Sequence, residues 1–218
     1  QQSEHIEATS SNLIRLDEIS ERMSRKQIRE MADIYRLTEE EMEEKKIIHP
    51  QMRDRRVLNV FRELRTKLMN KADDGNFTLM ITSICEGGGA SFVATNPATS
   101  VALDHGKTAI MVNCNLYSPE GNVLIEDADI GFSDFLEDSS VSMEQVIYAT
   151  GVPRLRLIPA GRATDIGPEY YTSYRMKQFV EELRSRYSDR YVILDAPPIG
   201  STAAVSYTHL TLPTIAEV

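Results

Sequence analysis

The chain predicts an α/β domain with a doubly wound, mostly parallel sheet. Short apolar runs at Thr78–Ile84, Thr108–Asn113, Leu155–Pro159 and Tyr191–Leu194 have the length and composition of strands. Between them, apolar residues recur at helical spacing. The first of these strands also runs straight into a glycine-rich turn, Glu86–Ala90, which opens the next helix. Strands alternating with helices imply parallel pairing, and ligands in such sheets gather beyond the carboxyl ends of the strands.

Taken in order, residues 1–54 read as a helical N-terminal extension, rich in Glu, Lys, Arg and Ser and without glycine up to residue 50. Leu13, Ile14 and Leu16, then more regularly Ile28, Met31, Ala32 and Tyr35, fall near helical spacing, the pattern of a solvated helical tail or a docking arm. Val57, Leu58, Phe61, Leu64 and Leu68 mark one face of a helix over 55–69. Lys71–Asn76 supplies turn residues before the first strand, and Ser91–Leu103 reads as the helix after the glycine turn. Pro97 falls inside that helix, where proline costs about 3 kcal/mol or more. Further helices are expected around Ser133–Glu137 and at Met143–Ala149. Met176, Phe179, Val180, Leu183 and Tyr187 trace another amphipathic helix. This order brings Cys85–Ser91, Asn113–Pro119 and Asp195–Pro198 around one crevice.

Composition narrows the function. Hydrophobic content of 41% and charged content of 26% in 218 residues are ordinary globular values. A net charge of -9 argues against nucleic acid as a partner. No apolar run approaches the roughly 18 residues that read as a membrane span, and no signal-peptide pattern is present. Cys85 and Cys114 lack further ligands at zinc spacing and are expected as reduced thiols in a cytoplasmic protein. His5, His49 and His105 are isolated and expected at the surface. Tyr170, Tyr171 and Tyr174 form a cluster that fits half-buried packing or, less readily, phosphorylation.

A strand, a glycine turn and a helix together make an anion cradle, because backbone N–H groups point inward and the helix dipole favours negative charge. The phosphate-loop pattern G-x-x-x-x-G-K-[ST] is half kept: Ile84 and Ala90 stand at the first glycine and the lysine, while Gly89 and Ser91 match. Thr82–Asn96 as a whole resembles the first nucleotide motif of the bacterial tyrosine kinases of capsule and exopolysaccharide export, relatives of the septum-site and partition ATPases. Ile110–Pro119 resembles their second motif, Val192–Pro198 their third, and Asn59–Leu68 their Glu-x-x-Arg-x-x-Arg assembly helix. Gly131–Leu136 and Leu157–Gly161 are similar to their connecting segments. The resemblance implies a P-loop NTPase-like, kinase-like domain over 55–203.

It also implies what is missing. The family places a lysine where this chain has Ala90, aspartates where it has Asn113 and Asn115, an arginine at Tyr117 and a glutamate at Asn59. Asparagine carries no charge and is a poor general base. Lys107 precedes its strand and is expected at the far end of the sheet. Gly87, Gly88, Gly89, Ala90, Ser91, Phe92 and Asp195 remain as a nucleotide-binding set, with Ser91 and Asp195 for Mg²⁺. ATP or ADP held weakly, and an empty crevice, are both open. Asn59, Arg62 and Arg65 mark the oligomer helix, with ring assembly in doubt because the leading glutamate is absent.

The expected function is a degenerate kinase-like regulator or scaffold of polysaccharide polymerisation and export. Its partner would be a membrane polysaccharide co-polymerase or a related kinase, met at the inner face of the membrane. An active protein-tyrosine autokinase with a lysine supplied in trans, and a partition-type positioning ATPase, are the alternatives. Val205–Thr214 reads as one frame of a sequencing adapter, so residues 204–218, His209 included, are expected to be a non-native tail on a C-terminally truncated domain.

Overall fold

The sheet is organised by alternation along its central strand. In the hexapeptide Thr108–Asn113 every residue is buried, as expected for a strand covered on both faces. Ile110 and Val112 enter one core, and Ala109 and Met111 enter the other. The computed structural model describes residues 36–72, 76–117, 123–125, 128–163, 167–186 and 190–199, all in one compact unit. The arm residues Leu13 to Tyr35, His5 and the tail beyond 203 lie outside the described residues.

In chain order the elements are α1 (Glu39–Glu44), α2 (Arg55–Lys71), β1 (Thr78–Ile81), α3 (Ala90–Ala102), β2 (Thr108–Asn113), α4 (Phe132–Glu137), a 3-10 turn at Met143–Val146, β3 (Tyr148–Ala149), β4 (Leu155–Ile158), α5 (Gly167–Tyr171), α6 (Tyr174–Arg186) and β5 (Arg190–Asp195). Among the described residues the strands order as β1-β5-β2-β4-β3. All pairs are parallel except β3 with β4, which is antiparallel. Asp195 lies level with Ile81 on one side and Asn113 on the other, so three strands end together.

Aromatic packing holds α4 and α6 to one face. Phe179 of α6 meets Phe132 at 4.6 Å and Phe135 at 5.5 Å between ring centroids. The guanidinium of Arg175 lies over the Phe135 ring and donates to the carbonyl of Phe135 at 2.9 Å. The two segments Gly131–Leu136 and Leu157–Gly161 touch through Phe132 N–H to Pro159 O (2.7 Å) and Ser133 N–H to Ala160 O (2.9 Å). A Cβ on Gly131 would come within 2.4 Å of the Gly161 nitrogen, so only glycine allows this approach.

The other face is covered by α3, whose small residues Ala94, Ala98 and Ala102 let it lie close to the sheet. Pro97 sits inside α3, buried. The helix has no basic residue in its last turn. Its terminal carbonyls are met instead from elsewhere: Arg65 donates to Ser100 O at 2.8 Å, and Arg154 donates twice to Ala102 O, at 3.1 and 2.6 Å.

Three sequence expectations change. Met143–Ala149 is a single 3-10 turn followed by a strand, because Ser142 N–H is capped by Gln145 (2.7 Å) and Tyr148–Ala149 pairs with β4. The first strand stops at Ile81, where Thr82 turns its hydroxyl to Pro197 O at 2.7 Å. His49 is 2% exposed rather than superficial. It belongs to a strap, residues 36–52, that the sequence assigned to the extension. The strap packs Met42 and Ile47 into the α3 face and Ile48 against Leu58 and Phe61. Its helix α1 opens with a capping box, Thr38 and Glu41 exchanging bonds.

Asn96 on α3 fastens the strap. Its Oδ1 accepts from Ile48 N–H at 2.8 Å, and its Nδ2 donates to Lys46 O (3.2 Å) and Phe92 O (3.0 Å). Asn96→Ala strands the buried Ile48 N–H, and we expect a loss of about 1–3 kcal/mol. Urea unfolding measures the loss, and faster proteolysis within residues 36–52 locates it.

Candidate nucleotide-binding cleft

Three chain segments meet where β1, β2 and β5 end. Backbone bonds join them: Ala196 N–H to Ile81 O at 2.8 Å, Cys114 N–H to Asp195 O at 2.8 Å, and Ile199 N–H to Ser83 O at 2.8 Å. Between the segments opens a cleft of about 670 Å³, lined by the loop from Glu86 to Phe92, by Ser83, Asn115 and Tyr117, and by Asp195 to Pro198.

The loop's shape comes from its backbone. Gly87 and Gly89 hold φ of 70° and 82°, left-handed values that strain any residue with a Cβ. A Cβ on Gly88 would approach that of Ser83 to 2.7 Å. The turn closes by Gly88 N–H to Cys85 O (3.2 Å), with the Ser83 hydroxyl donating to the same carbonyl (2.8 Å). Helix α3 then begins with no side-chain cap at Gly89. Its first N–H groups, at Ala90 and Ser91, are the uncapped donors of a helix N-terminus. This donor set fits phosphate oxygens.

The metal-handling side is thinner. Ser91 hydrogen-bonds Asp195, which is 3% exposed. No cluster of three or more His, Cys, Asp or Glu able to hold a metal occurs among the described residues. A hydroxyl and one carboxylate are what the chain offers Mg²⁺ here. They fit a hydrated ion that phosphate oxygens complete, since Mg²⁺ takes few protein ligands.

Gly87, Gly88, Gly89, Ala90, Ser91, Phe92 and Asp195 all line the cleft, together with Asn115. Asn113 does not: buried at the end of β2, it turns its Oδ1 back to accept from Asn115 N–H at 2.9 Å. Among the described residues, none that lines the cleft is lysine or arginine. Lys107 is at the other end of the sheet, donating to the Tyr191 hydroxyl at 3.2 Å. Glu86 and the prolines 197 and 198 also line the cleft. They fall within the segments Cys85–Ser91 and Asp195–Pro198 that the sequence placed at the crevice, whereas Ser83, just past the end of β1, was missed because a lone serine carries no spacing signal.

On α2, Asn59 is exposed, Arg62 is half-buried and Arg65 is engaged with Ser100. The tyrosine cluster divides. Tyr171 is buried and donates to Cys114 O, Tyr170 donates to Glu137, and Tyr174 is 75% exposed.

A parallel sheet with a glycine phosphate loop at its carboxyl edge defines the P-loop class of α/β domains. Solved structures share the fold. The chimerical protein CapA2B2 superposes with a TM-score of 0.65 at 21% identity, covering 80% of this chain and 74% of that one. The BceF tyrosine kinase domain superposes with a TM-score of 0.59 at 24% identity, covering 79% and 72%. In sequence, the tyrosine-protein kinase YwqD of Bacillus subtilis is 30% identical over 145 residues, 66% of this chain. The tyrosine-protein kinase CpsD of Streptococcus agalactiae is 27% identical over 141 residues, 64% of this chain. The homologues of this chain are bacterial tyrosine-protein kinases. The chain spans 60% of the length of YwqD and of CpsD, and 19% of EpsB from Ralstonia solanacearum, to which it is 29% identical. No family model matches it.

Burial pushes the Asp195 carboxyl up to about 6, against the opposing pull of its Ser91 hydrogen bond. The folded chain therefore holds this proton more tightly than the unfolded chain. The stabilisation is full below the ordinary value of 3.8 and is lost as pH rises through 6. Asp195→Asn is expected to stabilise the protein by about 1–3 kcal/mol near pH 8 and to change little near pH 4. Urea midpoints at the two pH values test this.

Proposed function

We propose that this chain is a kinase-like P-loop protein of exopolysaccharide or capsule biosynthesis. On this reading it holds nucleotide weakly and regulates or scaffolds polysaccharide polymerisation and export without transferring phosphate. The observation that carries the proposal is the absence of any lysine or arginine among the described residues that line the cleft.

Phosphoryl transfer depends almost wholly on positioning and on compensating the charge of the transferring group. A lysine at position 90 would contribute a charge-assisted hydrogen bond of about 1.5–3 kcal/mol, more as the transition state gathers charge. Ala90 contributes a methyl group. Asn115 faces the cleft where the second-motif carboxylate would stand, and its amide cannot take a proton from an acceptor hydroxyl. Asn113 is occupied in its own turn.

What remains is a binding apparatus. The N–H groups of Ala90 and Ser91 would receive phosphate oxygens, and Ser91 and Asp195 would hold Mg²⁺. Bound there, Mg²⁺ would neutralise phosphate charge. The partner is a membrane polysaccharide co-polymerase or a related active kinase, with membrane contact through that partner. Self-association would use the α2 surface around Asn59 and Arg62.

Incubating the protein with Mg-ATP and probing for phosphotyrosine tests the reading. The natural chain is expected to give none. The triple variant Ala90→Lys, Asn113→Asp, Asn115→Asp is expected to gain nucleotide affinity by about tenfold or more. Phosphotyrosine on the natural protein would overturn the proposal and point to a cation supplied by a neighbouring subunit.

A further inference from the structure

We infer that the cleft selects nucleoside diphosphates over nucleoside triphosphates. The inference rests on the nucleotide-binding reading above and concerns which nucleotide the same residues accept.

A phosphate loop divides its labour by position. The backbone N–H groups cradle the α- and β-phosphates, whereas the lysine reaches the β- and γ-phosphates. In this chain the two halves have separated. The backbone half is intact: Gly87 and Gly89 keep the left-handed turns, and α3 starts without a side-chain cap. The lysine half is gone, and no described residue lining the cleft replaces it. Lys107 points to Tyr191 at the opposite end of the sheet, and Arg65 is bound to Ser100 O behind α3.

Among the described residues, the charged ones that line the cleft are both acidic, Glu86 and Asp195. A diphosphate therefore finds every backbone donor the loop offers. A third phosphate adds negative charge, meets no lysine or arginine among the described lining residues and faces Glu86, a carboxylate that, unlike Asp195, has no place on Mg²⁺. Mg²⁺ offsets the total charge of either nucleotide but leaves this difference of one charge in place. Glu86 is exposed, so its share of the discrimination is open to screening by salt.

Separate calorimetric titrations of ADP and ATP into the whole chain, in excess Mg²⁺, measure the preference. We expect ADP to bind about tenfold tighter than ATP. Glu86→Gln and added salt are each expected to narrow that ratio, and Ala90→Lys to erase or reverse it. ATP binding as tightly as ADP to the natural chain would overturn the selectivity while leaving nucleotide binding in place. Failure of both nucleotides to bind would overturn the selectivity and the nucleotide reading together. The natural chain and Glu86→Gln, a surface change, carry the test even if the lysine variant does not fold.

Discussion

The position of Asp195 governs the rest of the structure. It ends the one strand that pairs with both β1 and β2, level with Ile81 and Asn113. Because a strand's register is fixed by which face its side chains bury, slipping β5 by one residue would turn Val192 and Leu194 out of one core and Tyr191 and Ile193 out of the other. The apolar alternation of six residues thus sets the depth of a carboxylate, the place where the glycine loop starts and the direction taken by the chain after Asn113. The cleft is a by-product of core packing on both faces of one strand.

Helix α3 is the second element on which the site depends, and its neighbours do much of the holding. Its buried face of small residues supplies closeness to the sheet but modest apolar area per residue. The strap closes over it through Asn96, and two arginines from distant segments satisfy the carbonyls at its end. These contacts fix the axis whose first turn presents Ala90, Ser91 and Phe92 to the cleft. An N-terminal segment with no contact to the phosphate site therefore helps to aim it.

Much of this was legible in the sequence, and the boundary of legibility is physical. The strands Thr108–Asn113 and Tyr191–Leu194 and the helix of Val57 to Leu68 announce themselves by period, since burial on a face leaves a repeating pattern. The glycine loop and the third motif placed Ser91 and Asp195 together. The short pieces were not readable in the same way. Met143–Val146 has the composition of a helix, and only pairing of Tyr148 and Ala149 with a strand seven residues on ends it. His49 is buried with its strap, and the bond from Ile48 N–H to Asn96 Oδ1 that holds the strap spans 48 residues, which no local window contains. The capping box at Thr38 and Glu41 was a local signal that the charge-rich surroundings concealed. Asn113 looked equivalent to Asn115 until the turn between them showed that one faces the cleft and the other serves the backbone.

The loop's geometry has a consequence for how such a protein changes over time. Its curvature is encoded by three glycines, one serine and a carbonyl, none of which is a charged group. Position 90, where the charge would sit, contributes to the fold only a helical residue at the start of α3. Shape and reactivity are therefore written in separate letters. A change at position 90 leaves untouched the residues that shape the loop. A charge introduced there would meet a loop whose curvature is already in place.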